Sequence, residues 1–364
     1  MAQIVSGPSG PEPPQDGDRV FRSLTVDPTN SSILVLGTER NGFVRSLDGG
    51  RTWTRHRAGF RPDGDSYPEI WDIDISLSDP NVLMAATLNS PGPPTGPLGQ
   101  PGLYRSTDGG QSWTQLNCGL TSSRVVSVRI HPSNPDVAVA GLEGGFPSYT
   151  DDSNYYPGGI FRTEDGGENW TRVEIGPDDG HNGFSIMRLV PTDPPTLITF
   201  GVSPDGLSKN LGFLRSTDMG RTWEFFADEF RNRSIDNFGV SSNGRVIYAS
   251  ERDTYFGWIS RDGGETWTQS GIHQVNGPIA VSPVNADLVL FASFNDVRRS
   301  TNGLQTVQVV MDTPSSIREI VFAPSDPNIV YAETDGYVLY RSDDAGLTWR
   351  LLVNIRDDVL NVNS

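Results

Sequence analysis

One octapeptide, which occurs seven times in this 364-residue chain, constrains its fold more than any other feature. The second copy reads Ser106-Thr107-Asp108-Gly109-Gly110-Gln111-Ser112-Trp113. The other copies begin at Ser46, Thr163, Ser216, Ser260, Ser300 and Ser342. Successive copies lie 40 to 60 residues apart. Self-similarity at such a period indicates a repeat architecture.

The residue types of the octapeptide predict a hairpin turn. An aspartate in a glycine-rich turn accepts hydrogen bonds from backbone N–H groups of its own hairpin, and glycine supplies the positive φ angles. The terminal tryptophan fixes the turn against the strands. We therefore interpret the octapeptide as structural and assign no catalytic role to its residues.

The pattern Ser/Thr-x-Asp-x-Gly-x-Thr/Ser/Asn-Trp resembles the Asp-box (BNR) repeat. That repeat occurs in sialidases, sortilin-type receptor domains, xyloglucanases and photosystem II assembly factors. The resemblance extends from about Arg19 to Val353, with a degenerate sixth copy at Ser300. It implies a β-propeller, and it leaves the function open because the family includes hydrolases, receptors and assembly factors.

A second signature precedes each box and predicts the strands. In the second repeat, an apolar strand from Asp72 to Ile75 leads through Asp79-Pro80-Asn81 to a second strand from Val82 to Ala86. One strand before the box and one after it complete four strands. The sequence thus predicts an all-β, seven-bladed β-propeller with four antiparallel strands per blade and an Asp-box in each C–D turn. Residues 1–18 are expected to form an extended N-terminal lead, and residues 19–364 a single propeller domain.

Composition narrows the classes of partner. The net charge of −17 argues against nucleic acid or an anionic membrane. Cys118 is the single cysteine, so an intrachain disulfide is excluded. The N-terminal lead has neither a basic region nor an apolar region of the kind that signal peptides have, and we expect a cytoplasmic protein.

Loop lengths predict which face carries the function. All seven box turns are short, whereas the longer connections fall on the face opposite the boxes. These are Ala58 to Glu69, Leu88 to Pro101, Leu142 to Gly159, Gly176 to Gly183 and Val202 to Leu211. Long loops on one face of a rigid scaffold are the usual place for binding and catalysis.

The first strand of each repeat has one apolar side and one side with charges. The charged side holds Asp72, Asp74, Arg129, Arg188 and Glu319. Charges on such central strands need partners or water. Two interpretations stay open: paired charges that line a water-filled channel, or the floor of a pocket for a polar ligand.

Four arginines are candidates for binding an anionic substrate. They are Arg22, Arg129, Arg188 and Arg318. Guanidinium groups suit carboxylates. Phe21-Arg22-Ser23-Leu24 faintly resembles the arginine motif at the start of sialidases, but it lacks the isoleucine and proline. Sialidases also have six blades, and no tyrosine–glutamate nucleophile pair is evident, so we do not expect true sialidase activity.

Carboxylates and aromatic residues at the ends of these strands form a second set of candidates. The acid/base candidates are Asp65, Glu69, Asp72 and Asp236. Tyr67, Trp71 and Tyr149 are candidate platforms for sugar rings. Loops packed by their own aromatic side chains are the structural alternative.

His181 and His273 are predicted in loops on the same face. Two histidines at the entrance of one pocket are suited to proton transfer. Together with a carboxylate, they are also suited to binding a divalent metal ion. Ordinary solvated histidines are the alternative. No other cofactor is predicted.

The sequence therefore supports two function classes. The first is an enzyme, a glycoside hydrolase or lyase that acts on an acidic or polar saccharide or a similar small substrate. The second is a non-catalytic propeller that binds a protein or ligand through its long-loop face.

Overall fold

The structure, a computed structural model, describes residues 4–5, 23–38, 41–62, 67–88, 101–144, 158–176, 183–184, 186–201, 211–335 and 338–354. Their secondary structure is nearly all β, with one short 3-10 helix at Asp228–Phe230. Seven sheets, each with four consecutive antiparallel strands, confirm the predicted seven-bladed β-propeller class. Among the described residues, no helix is long and apolar enough to cross a membrane.

The strands run in chain order through the blades. Blade 1 contains β2 (Thr25–Val26), β3 (Leu34–Gly37), β4 (Phe43–Ser46) and β5 (Trp53–His56), and β1 (Ile4–Val5) pairs parallel with β5. Blade 2 contains β6 (Glu69–Ile75), β7 (Leu83–Leu88), β8 (Gly102–Ser106) and β9 (Thr114–Gln115). Blade 3 contains β10 (Val125–His131), β11 (Asn134–Leu142), β12 (Gly159–Thr163) and β13 (Thr171–Val173). Blade 4 contains β14 (Met187–Val190), β15 (Thr196–Gly201), β16 (Gly212–Ser216) and β17 (Glu224–Phe226).

The last three blades follow the same plan. Blade 5 contains β18 (Ile235–Val240), β19 (Ile247–Glu251), β20 (Phe256–Ser260) and β21 (Thr268–His273). Blade 6 contains β22 (Ile279–Val281), β23 (Val289–Ser293), β24 (Asp296–Ser300) and β25 (Gln308–Asp312). Blade 7 contains β26 (Ile317–Ala323), β27 (Asp326–Thr334), β28 (Val338–Ser342) and β29 (Arg350–Asn354).

The chain divides into two compact units. The first unit consists of Met1–Arg57 and Ile235–Ser364, and so holds blades 1, 5, 6 and 7. The second unit, Ala58–Ser234, holds blades 2, 3 and 4. Within the first unit, the last blade packs on the first, since the Tyr331 hydroxyl donates to the Ser31 carbonyl oxygen at 3.2 Å and both blades share one apolar cluster. Among the described strands, none of blade 7 pairs with a strand of blade 1.

Apolar clusters between neighbouring blades form the core. In the second unit, Val128 and Ile130 on the first strand of blade 3 pack against Val82 and Met84 of blade 2, and all four are buried. The apolar side of the first strand therefore faces the neighbouring sheet, and alternation sends its other side chains the opposite way.

Each octapeptide lies between the third and fourth strands of its blade, and in six of the seven copies its aspartate accepts the hydrogen bonds that close the turn. In blade 2, the Ser106 hydroxyl donates to Asp108 at 2.8 Å, and the Ser112 N–H donates to the same carboxylate at 2.9 Å. The Trp113 indole donates to the Gly110 carbonyl oxygen at 3.2 Å. The degenerate sixth box keeps this geometry, because Asn302 accepts from the Thr306 N–H at 3.0 Å.

A neighbouring arginine explains why glycine is needed in the box. Gly166 of blade 3 has a φ of +72°, and a Cβ atom there would lie 1.9 Å from the Arg105 guanidinium of blade 2. Arg105 reaches this place to pair with Asp136 at 2.7 Å. Glycine is therefore required here both because it adopts the positive φ and because it leaves room for the arginine of the neighbouring blade.

Candidate functional site

A β-bulge recurs near the start of the first strand in four blades. The pairing between the first and second strands skips one residue each time, at Trp71, Val126, Asp236 and Arg318. A bulge of this kind opposes two residues to one and so turns two consecutive side chains to the same side. Three of these four residues, Trp71, Asp236 and Arg318, are site candidates from the sequence analysis.

The bulge in blade 2 gathers acidic and aromatic side chains on one side of β6. Ile73 and Ile75 are buried, which leaves Asp72 and Asp74 on the opposite side of the strand. The extra residue shifts the alternation by one position, so Glu69 and Trp71 join Asp72 on that side. The Trp71 indole donates to Glu69 Oε1 at 2.6 Å, in agreement with this assignment.

Asp72 and Asp74 bind the first strand of blade 3. Asp72 Oδ2 accepts from the Val128 N–H at 2.9 Å and forms an ion pair with Arg129 Nη1 at 2.5 Å. Asp74 Oδ2 accepts from the Ile130 N–H at 2.7 Å. The two carboxyl groups therefore bind successive outward N–H groups of β10, and the Arg129 guanidinium lies beside one of them.

The surroundings of Asp74 change its acidity. Burial raises the pKa of Asp74 to about 6, while the Arg129 charge and the Ile130 N–H oppose that rise. A carboxyl group with such a pKa exchanges a proton near neutral pH, as a general acid must. The structure thus brings together Asp72, Asp74 and Arg129, three of the residues singled out from the sequence.

In the first unit, Asp236 and Arg318 are engaged with partners of their own blades. Asp236 pairs with Arg252 at 3.3 Å in blade 5. Arg318 pairs with Asp335 in blade 7. Glu319, the residue next to this bulge, is opposite Glu333 in the pairing of β26 with β27. The Arg318 guanidinium, a predicted anion ligand, is thus already bound to a carboxylate of the chain.

Glu333 is a buried acid that sequence analysis missed. Its side chain is fully buried, and within the described part of the chain neither carboxyl oxygen has a hydrogen-bond partner. Burial raises its pKa well above the usual value, and the nearby Glu319 adds to the rise. The signal was present in the sequence: the corresponding positions of blades 2, 3 and 5 hold the small residues Ala86, Gly141 and Ser250.

The remaining candidates are dispersed or lie outside the described residues. Arg188 is half-buried on β14, and Tyr67 is half-buried just before β6. His273 was expected in a loop, but it is the last residue of β21, where its ring packs on Phe256 with centroids 4.3 Å apart. Four candidates lie outside the described residues: Arg22, Asp65, Tyr149 and His181.

A metal site receives no support from the described residues, which contain no group of three or more histidine, cysteine, aspartate or glutamate side chains arranged to hold an ion. The proposed site near His181 and His273 stays a prediction, because only His273 is described.

Two family models match parts of the chain. The family model for sortilin (neurotensin receptor 3) matches residues 102–256, and the model for the BNR/Asp-box repeat matches residues 258–269. The chain is a seven-bladed β-propeller with BNR/Asp-box repeats.

Curated relatives of this Asp-box propeller are xyloglucanases. One from Hypocrea jecorina (strain QM6a) is 26% identical over 55% of this chain and 24% of its own length. One from Paenibacillus sp is 29% identical over 53% of this chain and 18% of its own length. Xyloglucanase Xgh74A of Acetivibrio thermocellus is 23% identical over 79% of this chain and 38% of its own length. The chain thus spans well under half the length of these relatives.

Solved structures support the fold. YCF48 bound to a D1 peptide has a TM-score of 0.61 and 18% identity, with 89% of this chain and 93% of that chain covered. An ancestral GH74 enzyme has a TM-score of 0.67 and 16% identity, with 92% and 46% covered. Sqt1 of Saccharomyces cerevisiae has a TM-score of 0.59 and 13% identity, with 92% and 85% covered. At these identities the similarity concerns the propeller fold alone.

Proposed function

We propose that this propeller is a glycoside hydrolase that acts on a polar polysaccharide of the xyloglucan class, with Asp74 as general acid and Asp72 as its partner carboxylate. The raised pKa of Asp74, beside the Asp72–Arg129 ion pair, carries the proposal. Glycosidases need one carboxyl group that is protonated near neutral pH and a second that is ionised. The curated xyloglucanase relatives supply the substrate class.

The spacing of the two acids favours an inverting reaction. Asp72 and Asp74 bind N–H groups two residues apart on β10. A strand rises about 3.3 Å per residue, so the two N–H groups, and the carboxyl oxygens that bind them, lie about 6.6 Å apart. That separation falls within the range of about 6.5–9.5 Å that leaves room for a water molecule in inverting enzymes, and exceeds the 5–5.5 Å of retaining enzymes.

Other side chains of blade 2 have supporting roles in this proposal. Trp71 is half-buried on the same side of β6 as the acids and offers an aromatic surface for a sugar ring. Arg129 holds Asp72 in place through the ion pair. Because the curated relatives are hydrolases, we propose hydrolysis rather than elimination.

The proposal is tested by measuring how fast the wild type and its variants release reducing ends from xyloglucan. We expect Asp74→Asn to lower kcat by about 100-fold or more, because the general acid is lost. Asparagine keeps an acceptor for the Ile130 N–H, so the melting temperature should stay near that of the wild type. Asp136→Asn is the matched control, since Asp136 also pairs with an arginine of the second unit but belongs to β11 and not to the acid pair of β6. Equal activity of Asp74→Asn and wild type would refute the role.

A specific observation favours a second candidate, a non-catalytic propeller that binds a peptide. Asp72 and Asp74 already accept backbone N–H groups of the neighbouring blade, which is a sufficient structural reason for both acids. A solved neighbour of the fold, YCF48, is bound to a peptide. This candidate predicts that the protein does not hydrolyse xyloglucan. It also predicts that the effect of Asp72→Ala is a loss of stability and not a loss of activity.

A further inference from the structure

Two exposed aromatic side chains lie side by side on blades 5 and 6. Tyr255 is in the turn between β19 and β20, and Phe294 is in the turn between β23 and β24. Tyr255 is 43% exposed and Phe294 is 53% exposed, with ring centroids 6.1 Å apart. The other exposed large apolar residues in the described part of the chain are aliphatic: Leu47, Leu77, Val284, Val309, Leu347 and Leu351.

The backbone holds both rings outward in an unfavourable conformation. Tyr255 has a φ of 57° and Phe294 a φ of 54°, in the left-handed region that bulky residues seldom adopt. Asparagine or glycine would fit these turns with less strain, so turn geometry does not account for the aromatic side chains. Strain of this kind gathers at binding sites, where the surrounding structure holds it.

Hydrogen bonds on both sides fix the two turns. The Tyr255 N–H donates to the Glu251 carbonyl oxygen at 2.8 Å, and the Tyr255 carbonyl accepts from Val275 at 3.0 Å. The Phe294 N–H donates to Asn276 Oδ1 at 2.9 Å, and its carbonyl accepts from Ile317 at 3.2 Å. The ring pair is therefore arranged before any ligand binds, which reduces the entropy lost on binding.

A hydrogen-bonded polar group connects the segments that hold the two turns. Gln274 immediately precedes Val275, whose N–H binds the Tyr255 carbonyl. The Gln274 amide oxygen accepts a hydrogen bond from Arg298 at 3.0 Å. Arg298 also pairs with Asp296, two residues after Phe294, at 3.5 Å. Exposed aromatic rings on segments that also carry an amide, a guanidinium and a carboxylate suit a sugar, whose apolar ring face stacks while its hydroxyls form hydrogen bonds.

The size and charge of the surface select the ligand class. An aromatic side chain has an area of about 200 Å², so the exposed fractions correspond to about 200 Å² in total. A stable protein interface needs about 800 Å² per partner, whereas one or two sugar rings need far less. Arg298 and Asp296 balance each other, and the net charge of −17 repels polyanions. The surface therefore favours a neutral saccharide.

We propose that Tyr255 and Phe294 form a binding platform for sugar rings of a neutral polysaccharide, separate from the acids of blade 2. The platform belongs to the first unit and the acid pair to the second. Binding at the platform needs no hydrolysis, so the two proposals stand or fall separately.

Affinity electrophoresis in native gels cast with xyloglucan tests the platform. The variants are Tyr255→Asn and Phe294→Asn, because asparagine removes the ring and tolerates the left-handed backbone. They are made in the wild type and in Asp74→Asn, which removes the proposed cleavage of the gel polymer. We expect each change to raise the apparent Kd about three- to tenfold, and the double variant to be retarded less than either single variant, with any remaining retardation due to the proposed site on blade 2.

Matched controls separate stacking from general surface effects. Tyr255→Phe keeps a ring and should bind as the wild type does. Val284→Asn alters a more exposed apolar residue, at 74%, in a distant turn of blade 6 and should also leave binding unchanged. Carboxymethylcellulose, a polyanion, should cause less retardation than xyloglucan. The platform is refuted if the wild type is not retarded by xyloglucan, or if the asparagine variants are retarded as strongly as the wild type.

Discussion

At the residue scale, the acids Asp74 and Glu333 differ in what surrounds them. Asp74 receives a backbone hydrogen bond and lies near Arg129, whereas Glu333 is buried opposite another glutamate. Burial raises both pKa values. The first environment suits proton transfer at a site, and the second destabilises the folded state whenever the acid is ionised.

Asp74 predicts a pH limit for the proposed hydrolysis. A general acid acts only while it is protonated, and the pKa of Asp74 is raised to about 6. We therefore expect kcat/KM to decline as the pH rises above about 6. Measurement of kcat/KM from pH 4 to pH 9 checks this, and a profile that is flat through pH 6–8 would exclude Asp74 as the acid.

Glu333→Met tests the buried acid of blade 7. The folded-state pKa of Glu333 is raised. At low pH the buried acid is protonated and carries no charge, so it does not destabilise the fold. As the pH rises through that pKa, the acid ionises and stability is lost. An apolar side chain of similar shape should add about 1–3 kcal/mol to the free energy of unfolding at pH 8, and less at pH 4. Urea unfolding at both pH values measures the difference.

Glu251→Met is the matched control for Glu333. Glu251 is also buried, but it accepts hydrogen bonds from Thr254 at 2.9 Å and from the Trp258 indole at 3.1 Å. Its replacement should destabilise the protein at pH 8. A loss of stability on both changes would contradict the account of Glu333.

At the element scale, the box is a turn whose aspartate is stabilised in its charged form. Hydrogen bonds from Asn169 and Thr163 lower the pKa of Asp165 to about 2. A lowered pKa contributes stability above the unfolded value near 4, and this contribution is lost as the pH falls through the folded value. The sixth box carries Asn302 at the same place and forms the turn without the charge.

Reciprocal substitutions test the value of that charge. We expect Asp165→Asn to lower the free energy of unfolding by about 1 kcal/mol at pH 7, a modest amount because the carboxylate is exposed and screened by solvent. Asn302→Asp should raise stability at pH 7. Both differences should shrink toward pH 2 in urea unfolding, and a difference that is independent of pH would contradict the charge-based account.

The same elements show what the sequence did and did not predict. The octapeptides and the Pro-containing turns predicted seven four-stranded sheets, because both signals are local. The bulges at Trp71 and Arg318 escaped prediction, since an extra residue becomes visible only when two strands are paired. The ion pair of Asp72 with Arg129 joins two blades, so no local pattern could reveal which charges are neighbours.

At the scale of the whole molecule, each compact unit carries its own proposed surface. The acid pair of blade 2 lies in the second unit, and the aromatic platform of blades 5 and 6 lies in the first. The chain spans at most 38% of the length of the first three curated relatives, so the activity of whole xyloglucanases enters here as a proposal. Cleavage of xyloglucan separates this proposal from the peptide-binding alternative, and its stereochemistry tests the roles of Asp72 and Asp74.

Proton NMR of xyloglucan during digestion by the protein is the most direct measurement. The account predicts that the first sugar released carries the anomer opposite to that of the cleaved bond, because the carboxyl oxygens of the two acids lie about 6.6 Å apart. It also predicts that Asp74→Asn releases sugar about 100-fold more slowly, or slower still, under the same conditions. Release of the retained anomer, or no release by the wild type, would contradict the assignment of Asp72 and Asp74 as the reacting pair.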